Sequence, residues 1–140
     1  MKKDANWYGL NMLPLYVEIS EGQLEASIEQ LNNLNQVQSK PHVLDSETIE
    51  RIIKLHSAQN ADNWVFFEQC KKWRNENPTN EELKLIAQVE KSTNQLEEVN
   101  NEILTLANSF KGKTIDSILG KGDFELGLEY LLKQLGKSNL

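Results

Sequence analysis

Apolar residues in this chain recur at helical spacing, and the longest run lies between Thr79 and Phe110. Leu85, Val89, Ser92, Leu96, Val99, Ile103, Leu106 and Phe110 follow one another at alternating steps of four and three, with Ser92 the only polar member. That spacing draws one apolar seam along an α-helix, and Ile86 and Ala107 widen it at the two ends. Thr79 with Glu82 gives the order of a capping box, and Pro78 precedes it. Lys111, Gly112 and Lys113 mark the end, with cations on the last carbonyls and a glycine free to take positive φ. About thirty residues make a rod of roughly 45 Å, which cannot bury its seam alone. Val89, Leu96, Ile103 and Phe110 share one heptad position; Leu85, Val99 and Leu106 share the other. The seam is too short for a coiled coil by itself, so other helices of the same chain are expected to cover it.

Two further long helices are predicted. The first runs from about Pro14 to Gln36, with the stripe Leu13, Val17, Leu24, Ile28, Leu31 and Leu34, weakened by Ser20 and Gly22. Pro41 then disfavours helix at Lys40. Asp45 or Ser46 starts the second, which shows Ile49, Ile52, Ile53 and His56 on one face, then a polar run from Ser57 to Asn63, then Trp64, Phe67 and Cys70. One helix of about thirty residues with a polar waist is the simplest reading, and two helices kinked near Asn60 are the alternative. After the rod, Thr114 caps a short piece ended by Gly120. Asp123 restarts the chain, and Phe124, Leu128, Leu131, Leu132 and Leu135 form a narrow stripe. Residues 137–140 are expected to be a mobile tail. Trp7, Tyr8, Leu10 and Met12 are apolar enough for residues 1–12 to dock on the bundle or on a partner. No stretch alternates with period two, and no repeat is visible. The fold class is therefore all-α: one domain over residues 1–140, an up-down bundle of three long helices and a short, split C-terminal helix.

Composition narrows the function classes. The net charge is −6 and the basic residues are scattered, which disfavours DNA as a partner. The single cysteine, Cys70, excludes an internal disulfide and a cysteine-based zinc site. No apolar run is long enough to span a membrane, and the N-terminus lacks the core of a secretory signal. The expectation is a soluble cytoplasmic protein with no membrane partner.

Most chemical motifs are missing. A di-iron bundle needs Glu-x-x-His, but Ser39 and Ile53 stand three positions before His42 and His56. HExxH and the glycine-rich nucleotide motifs are absent, and Asp123 makes the segment from Gly120 an interhelical turn rather than a phosphate loop. No metal and no cofactor are expected. Cys70 lies among apolar neighbours and reads as a small hydrophobe.

Arg51 and His56, in the segment RIIKLH, stand as Arg-x4-His. That segment resembles the motif of HEPN-type ribonucleases, all-α domains of about this size in which Arg and His act on RNA without a metal. The resemblance implies a metal-independent ribonuclease with Arg51 and His56 as its catalytic pair and RNA as its substrate. The rival reading of the same residues is a partly buried helical histidine and a surface arginine.

The aromatic residues Trp64, Phe66, Phe67 and Trp73 spread over more than one helical stripe. They plug the core, or they form a partner site together with Trp7 and Tyr8. The leading expectation is a non-enzymatic protein–protein interaction module: an adaptor, small regulator or assembly subunit. Its partner-binding residues are Trp7, Tyr8, Trp64, Phe66 and Trp73, and its partner is another protein or a second copy of itself, with a homodimer favoured. The alternative is the HEPN-like ribonuclease.

Overall fold

The computed structural model describes residues 6–119 and 132–134. A 3-10 turn at Leu10–Met12 leads into α1, Leu13–Gln36. A second 3-10 turn, Pro41–Val43, precedes α2, Ser46–Arg74. Then come α3, Asn80–Ser109, and the short α4, Ile115–Leu119. No strand occurs among the described residues. The second helix is continuous through its polar run. The helix expected after Asp123 and the tail at 137–140 lie almost wholly outside the described residues.

Local sequence explains the boundaries. The Asp45 side chain accepts from the Thr48 N–H at 2.7 Å and caps α2. Both halves of the capping box are made at α3, Glu82 N–H to Thr79 Oγ1 at 3.1 Å and Thr79 N–H to Glu82 Oε1 at 2.9 Å. Between α2 and α3 the chain turns through Asn77 at φ 52°, and after α3 it turns through Gly112 at φ 80°. Arg74 grips Glu90 with two hydrogen bonds, of 2.6 and 3.2 Å, and ties the end of α2 to α3.

Two apolar clusters fix the topology. One joins Leu13 at the start of α1, Cys70 and Trp73 at the end of α2, and Ile86 and Val89 at the start of α3. The other joins Leu34, Ile49, Ile103, Ala107 and Phe110 at the opposite end. The helices therefore run up, down and up, with α1 parallel to α3 and α2 antiparallel to both. Backbone packs closely between α1 and α3 and between α2 and α3, so α3 is gripped from two sides.

That double grip shifts the centre of the seam. Leu96, Ile103 and Phe110 are buried, as is Val89, and Leu85, Val99 and Leu106 are only half-buried. The fully buried line beside Val89, Leu96, Ile103 and Phe110 is Ile86, Thr93, Asn100 and Ala107, one residue on from the apolar positions that mark the seam in sequence. On α1 the buried line is Leu13, Ser20, Ser27 and Leu34, while Ile28 is 44% exposed. On α2 it is Ile49, His56, Asn63 and Cys70. Each line is spaced by seven, apolar at its ends and polar in its middle. The bundle thus has two apolar ends and a polar waist between them.

The short α4 closes one end. Thr114 is buried, and the Ile115 N–H donates to the Leu44 carbonyl at 3.1 Å. Asp116 Oδ1 accepts from the Ser46 N–H at 2.8 Å, on the first turn of α2.

Candidate functional site

Among the described residues, the waist and the end near Trp73 gather polar or aromatic side chains with defined geometry.

At the waist, Asn100 is fully buried at the centre of a network. Its Oδ1 accepts from Ser27 Oγ at 2.9 Å and from His56 Nδ1 at 2.8 Å. Its Nδ2 donates to Gln59 Oε1 at 3.2 Å and to Asn60 Oδ1 at 3.0 Å. His56 Nδ1 also faces Gln59 Oε1 at 3.0 Å. An imidazole nitrogen between two amide oxygens carries the proton, so Nδ1 is the donor and Nε2 is left as an acceptor. Among the described residues no donor reaches Nε2, which is buried. Asn63 extends the network outward by donating to Asn60 Oδ1 at 3.2 Å. Three helices are thereby joined through one amide. A network of this kind rewards a single register, because sliding any helix by a residue strands its buried polar groups.

Arg51 is not part of this arrangement. At about 100° per residue, five residues turn the helix by about 140°, so Arg51 and His56 leave α2 on different sides. The Arg51 side chain is 73% exposed and meets Glu47 at 3.5 Å, while His56 is 3% exposed and faces α3. The two share no cleft, and the imidazole is closed off from any phosphate that Arg51 could hold. Among the described residues no three His, Cys, Asp or Glu side chains converge as a metal site. Cys70 is buried, and loss of water pushes its thiol up to about 12, so at neutral pH it is a protonated hydrophobe rather than a nucleophile. An open groove of about 600 Å³ between α1 and α3 is lined by Leu31 and Leu106, and among the described residues Glu102 is the only ionisable one that lines it. It offers no acid and base in partnership.

At the other end, residues 7–9 lie as a strap across the aromatic cluster. Gln69, 1% exposed, turns both ends of its amide to one strap residue: the Tyr8 N–H donates to Oε1 at 2.8 Å, and Nε2 donates to the Tyr8 carbonyl at 3.1 Å. The indole Nε1 of Trp73 donates to the same carbonyl at 2.9 Å. Trp7 meets Trp64 edge-on with ring centres 6.2 Å apart, and Lys72 Nζ lies 4.9 Å above the Trp7 ring. Tyr16 packs against Tyr8, Phe66 and Trp73 at 6.2, 5.4 and 5.0 Å. Burial at this cluster, together with the nearby Tyr8 and Cys70, raises the Tyr16 hydroxyl above its ordinary value.

The five aromatics expected to bind a partner therefore separate. Trp7 and Tyr8 are 40% and 42% exposed, Trp64 and Phe66 are half-buried, and Trp73 is fully buried. Trp73 is core and not surface, because the strap and Tyr16 cover its ring and its one polar atom is satisfied by Tyr8. Gln69 escapes sequence reasoning altogether. The only signal is that it stands four residues before Trp73, which puts both donors on one face of α2.

No protein-family model, no curated protein and no solved structure matches the chain. Among the described residues no helix is long and apolar enough to cross a membrane.

Proposed function

We propose that this chain is a non-enzymatic helical interaction module, engaged at its aromatic end by another protein or by a second copy of itself. The observation that carries the reading is the apolar surface left open there. Trp7 and Tyr8 are 40% and 42% exposed, and Leu15 and Ile19, on the first two turns of α1 at the same end, are 44% and 39% exposed. Large aromatics are the residues that interface cores favour. The candidate chemical groups read from the sequence are engaged elsewhere: His56 in the waist network, Arg51 with Glu47, Cys70 as a buried thiol. A net charge of −6 suits a protein partner better than a nucleic acid. A buried free thiol fits a reducing compartment such as the cytoplasm. The simplest form of the interaction is a homodimer.

The test is the full-length Trp7→Ala, Tyr8→Ala double variant. It is expected to keep its far-UV helical signal and to lose both self-association, followed by light scattering over a concentration series, and any co-purifying protein. Undiminished association in the folded variant refutes the surface. Cleavage of single-stranded RNA by the parent, abolished by His56→Ala, refutes the non-enzymatic reading.

A further inference from the structure

We infer that Gln69 and Trp73 form a clamp for an extended segment, and that its occupant in trans is residues 7–9 of a second copy of this chain. The inference rests on the interaction-module reading above and names its partner. The clamp reads main chain. All three of its hydrogen bonds, of 2.8, 3.1 and 2.9 Å, go to the N–H and C=O of one residue, Tyr8. Its two donor side chains are buried beneath the strap, Gln69 at 1% and Trp73 at 0% exposure, so the three bonds form out of water. Side-chain selectivity comes from Trp7, edge-on to Trp64 and under Lys72, and from Tyr8 beside Tyr16. A second copy is the occupant whose fit is already displayed, because its strap carries the same Trp7-Tyr8 pair.

None of these contacts requires strap and clamp to belong to one chain. The link between them is Gly9, extended at φ −78° and ψ 171°, directly before the 3-10 turn that opens α1. Exchange of such a segment repeats the same contacts twice in a closed dimer, so only chain concentration and any newly made interface decide between the forms. A short tether gives the strap an effective concentration in roughly the millimolar range in cis. The new interface lowers that threshold. Leu15 and Ile19, on the first two turns of α1 after the hinge, are exposed in one copy and are the apolar face that a dimer has to bury. Dimer is therefore expected at roughly upper-micromolar chain concentrations.

Complementation between two full-length variants tests this. Trp7→Ala with Tyr8→Pro spoils the strap, since proline has no N–H for Gln69, and leaves the clamp intact. Gln69→Leu spoils the clamp and leaves the strap intact. Each alone should be monomeric where the parent dimerises, and an equimolar mixture should form a heterodimer by light scattering. A mixture that stays monomeric overturns the inference, as does a Gln69→Leu chain that dimerises like the parent. If Gln69→Leu does not fold, the probe is the peptide DANWYGL, residues 4–10, added to the strap-deficient chain. It should shift the Trp73 indole N–H resonance, and methylation of its tyrosine amide should weaken binding about tenfold. No shift overturns the clamp. Peptide capture without any dimer in the mixture overturns the second copy as occupant and assigns the clamp to a foreign segment. The broader reading fails separately, when loss of Trp7 and Tyr8 leaves association undiminished.

Discussion

Asn100→Ala is expected to cost more stability than any other single polar truncation at the waist. The wild-type side chain is fully buried and makes four hydrogen bonds, to Ser27, His56, Gln59 and Asn60, at 2.9, 2.8, 3.2 and 3.0 Å. A protein hydrogen bond contributes about 1 kcal/mol net, and a buried group left unpaired costs about 1–3 kcal/mol. The losses do not simply add, because Gln59 Oε1 stays within 3.0 Å of His56 Nδ1 and 3.5 Å of Ser27 Oγ and takes over part of the pairing. The net expectation is about 3 kcal/mol, which at about 3–4 °C per kcal/mol for a chain of this size lowers Tm by about 10 °C. Urea denaturation followed by circular dichroism reads the change, with the slope against denaturant unaltered if only the native state is affected. Glu98→Ala is the control, since that residue is exposed on the same helix; it should stay within about 0.5 kcal/mol. A double-mutant cycle with His56→Ala should return a coupling of about 1–2 kcal/mol. An Asn100→Ala chain within about 0.5 kcal/mol of the parent would refute the claim that one buried amide joins the three helices.

Three further outcomes are expected. Cys70 should resist thiol reagents at pH 8 until the chain unfolds. Because burial raises its thiol to about 12, the folded state keeps a proton that the unfolded chain releases from about pH 8.5 upward, so stability should fall as pH climbs from there, and a Cys70→Ala chain should lack that component. At acid pH the sign reverses: hydrogen bonds from the Thr48 side chain and N–H hold Asp45 below the ordinary carboxylate range, and the Ser46 N–H first, then the Thr114 and Ser46 hydroxyls, do the same for Asp116. Stability from these two is complete above about pH 4 and lost below it, so Asp116→Asn should flatten the acid limb of a pH–stability curve. Leu96→Asp or Ile103→Asp, at 2% and 0% exposure, should abolish cooperative unfolding, and an unchanged melting curve for both would contradict their place in the core.

Periodicity in the sequence locates the three long helices to within a residue or two, including the capping box at Thr79 and the continuity of α2 through its polar run. It misplaces the centre of the seam, and the reason is physical. A search for apolar positions selects Val99 and Leu106, whereas a helix gripped from two sides buries the residue between its two flanks, which on α3 is Asn100 and Ala107. On α1 the same bias selects Ile28 over Ser27. Serine at the centre of a contact lets two helix backbones approach, and Ile28 one residue on is turned about 100° away toward solvent. The signal was present in another form. Leu13, Ser20, Ser27 and Leu34, then Ile49, His56, Asn63 and Cys70, then Ile86, Thr93, Asn100 and Ala107, are three lines of strict seven-residue spacing, each with its polar members in the middle.

These lines also bear on where we propose that recognition occurs. A buried polar layer fixes register but cannot be reached from outside, so the waist holds the helices in order. The cost of that layer is apolar area. With the middle of three buried lines polar, the two end clusters supply most of the hydrophobic stabilisation, and one of them lies around Trp73. Residues 7–9 lie over that cluster, attached by three hydrogen bonds to one residue, and Trp7 and Tyr8 remain about two-fifths exposed. A segment fixed through its backbone at one residue opens at lower cost than a helix locked by a buried network. The part of this fold that opens most easily is therefore its strap, and that is why we propose the clamp beneath it as the place where an extended segment of a second copy docks.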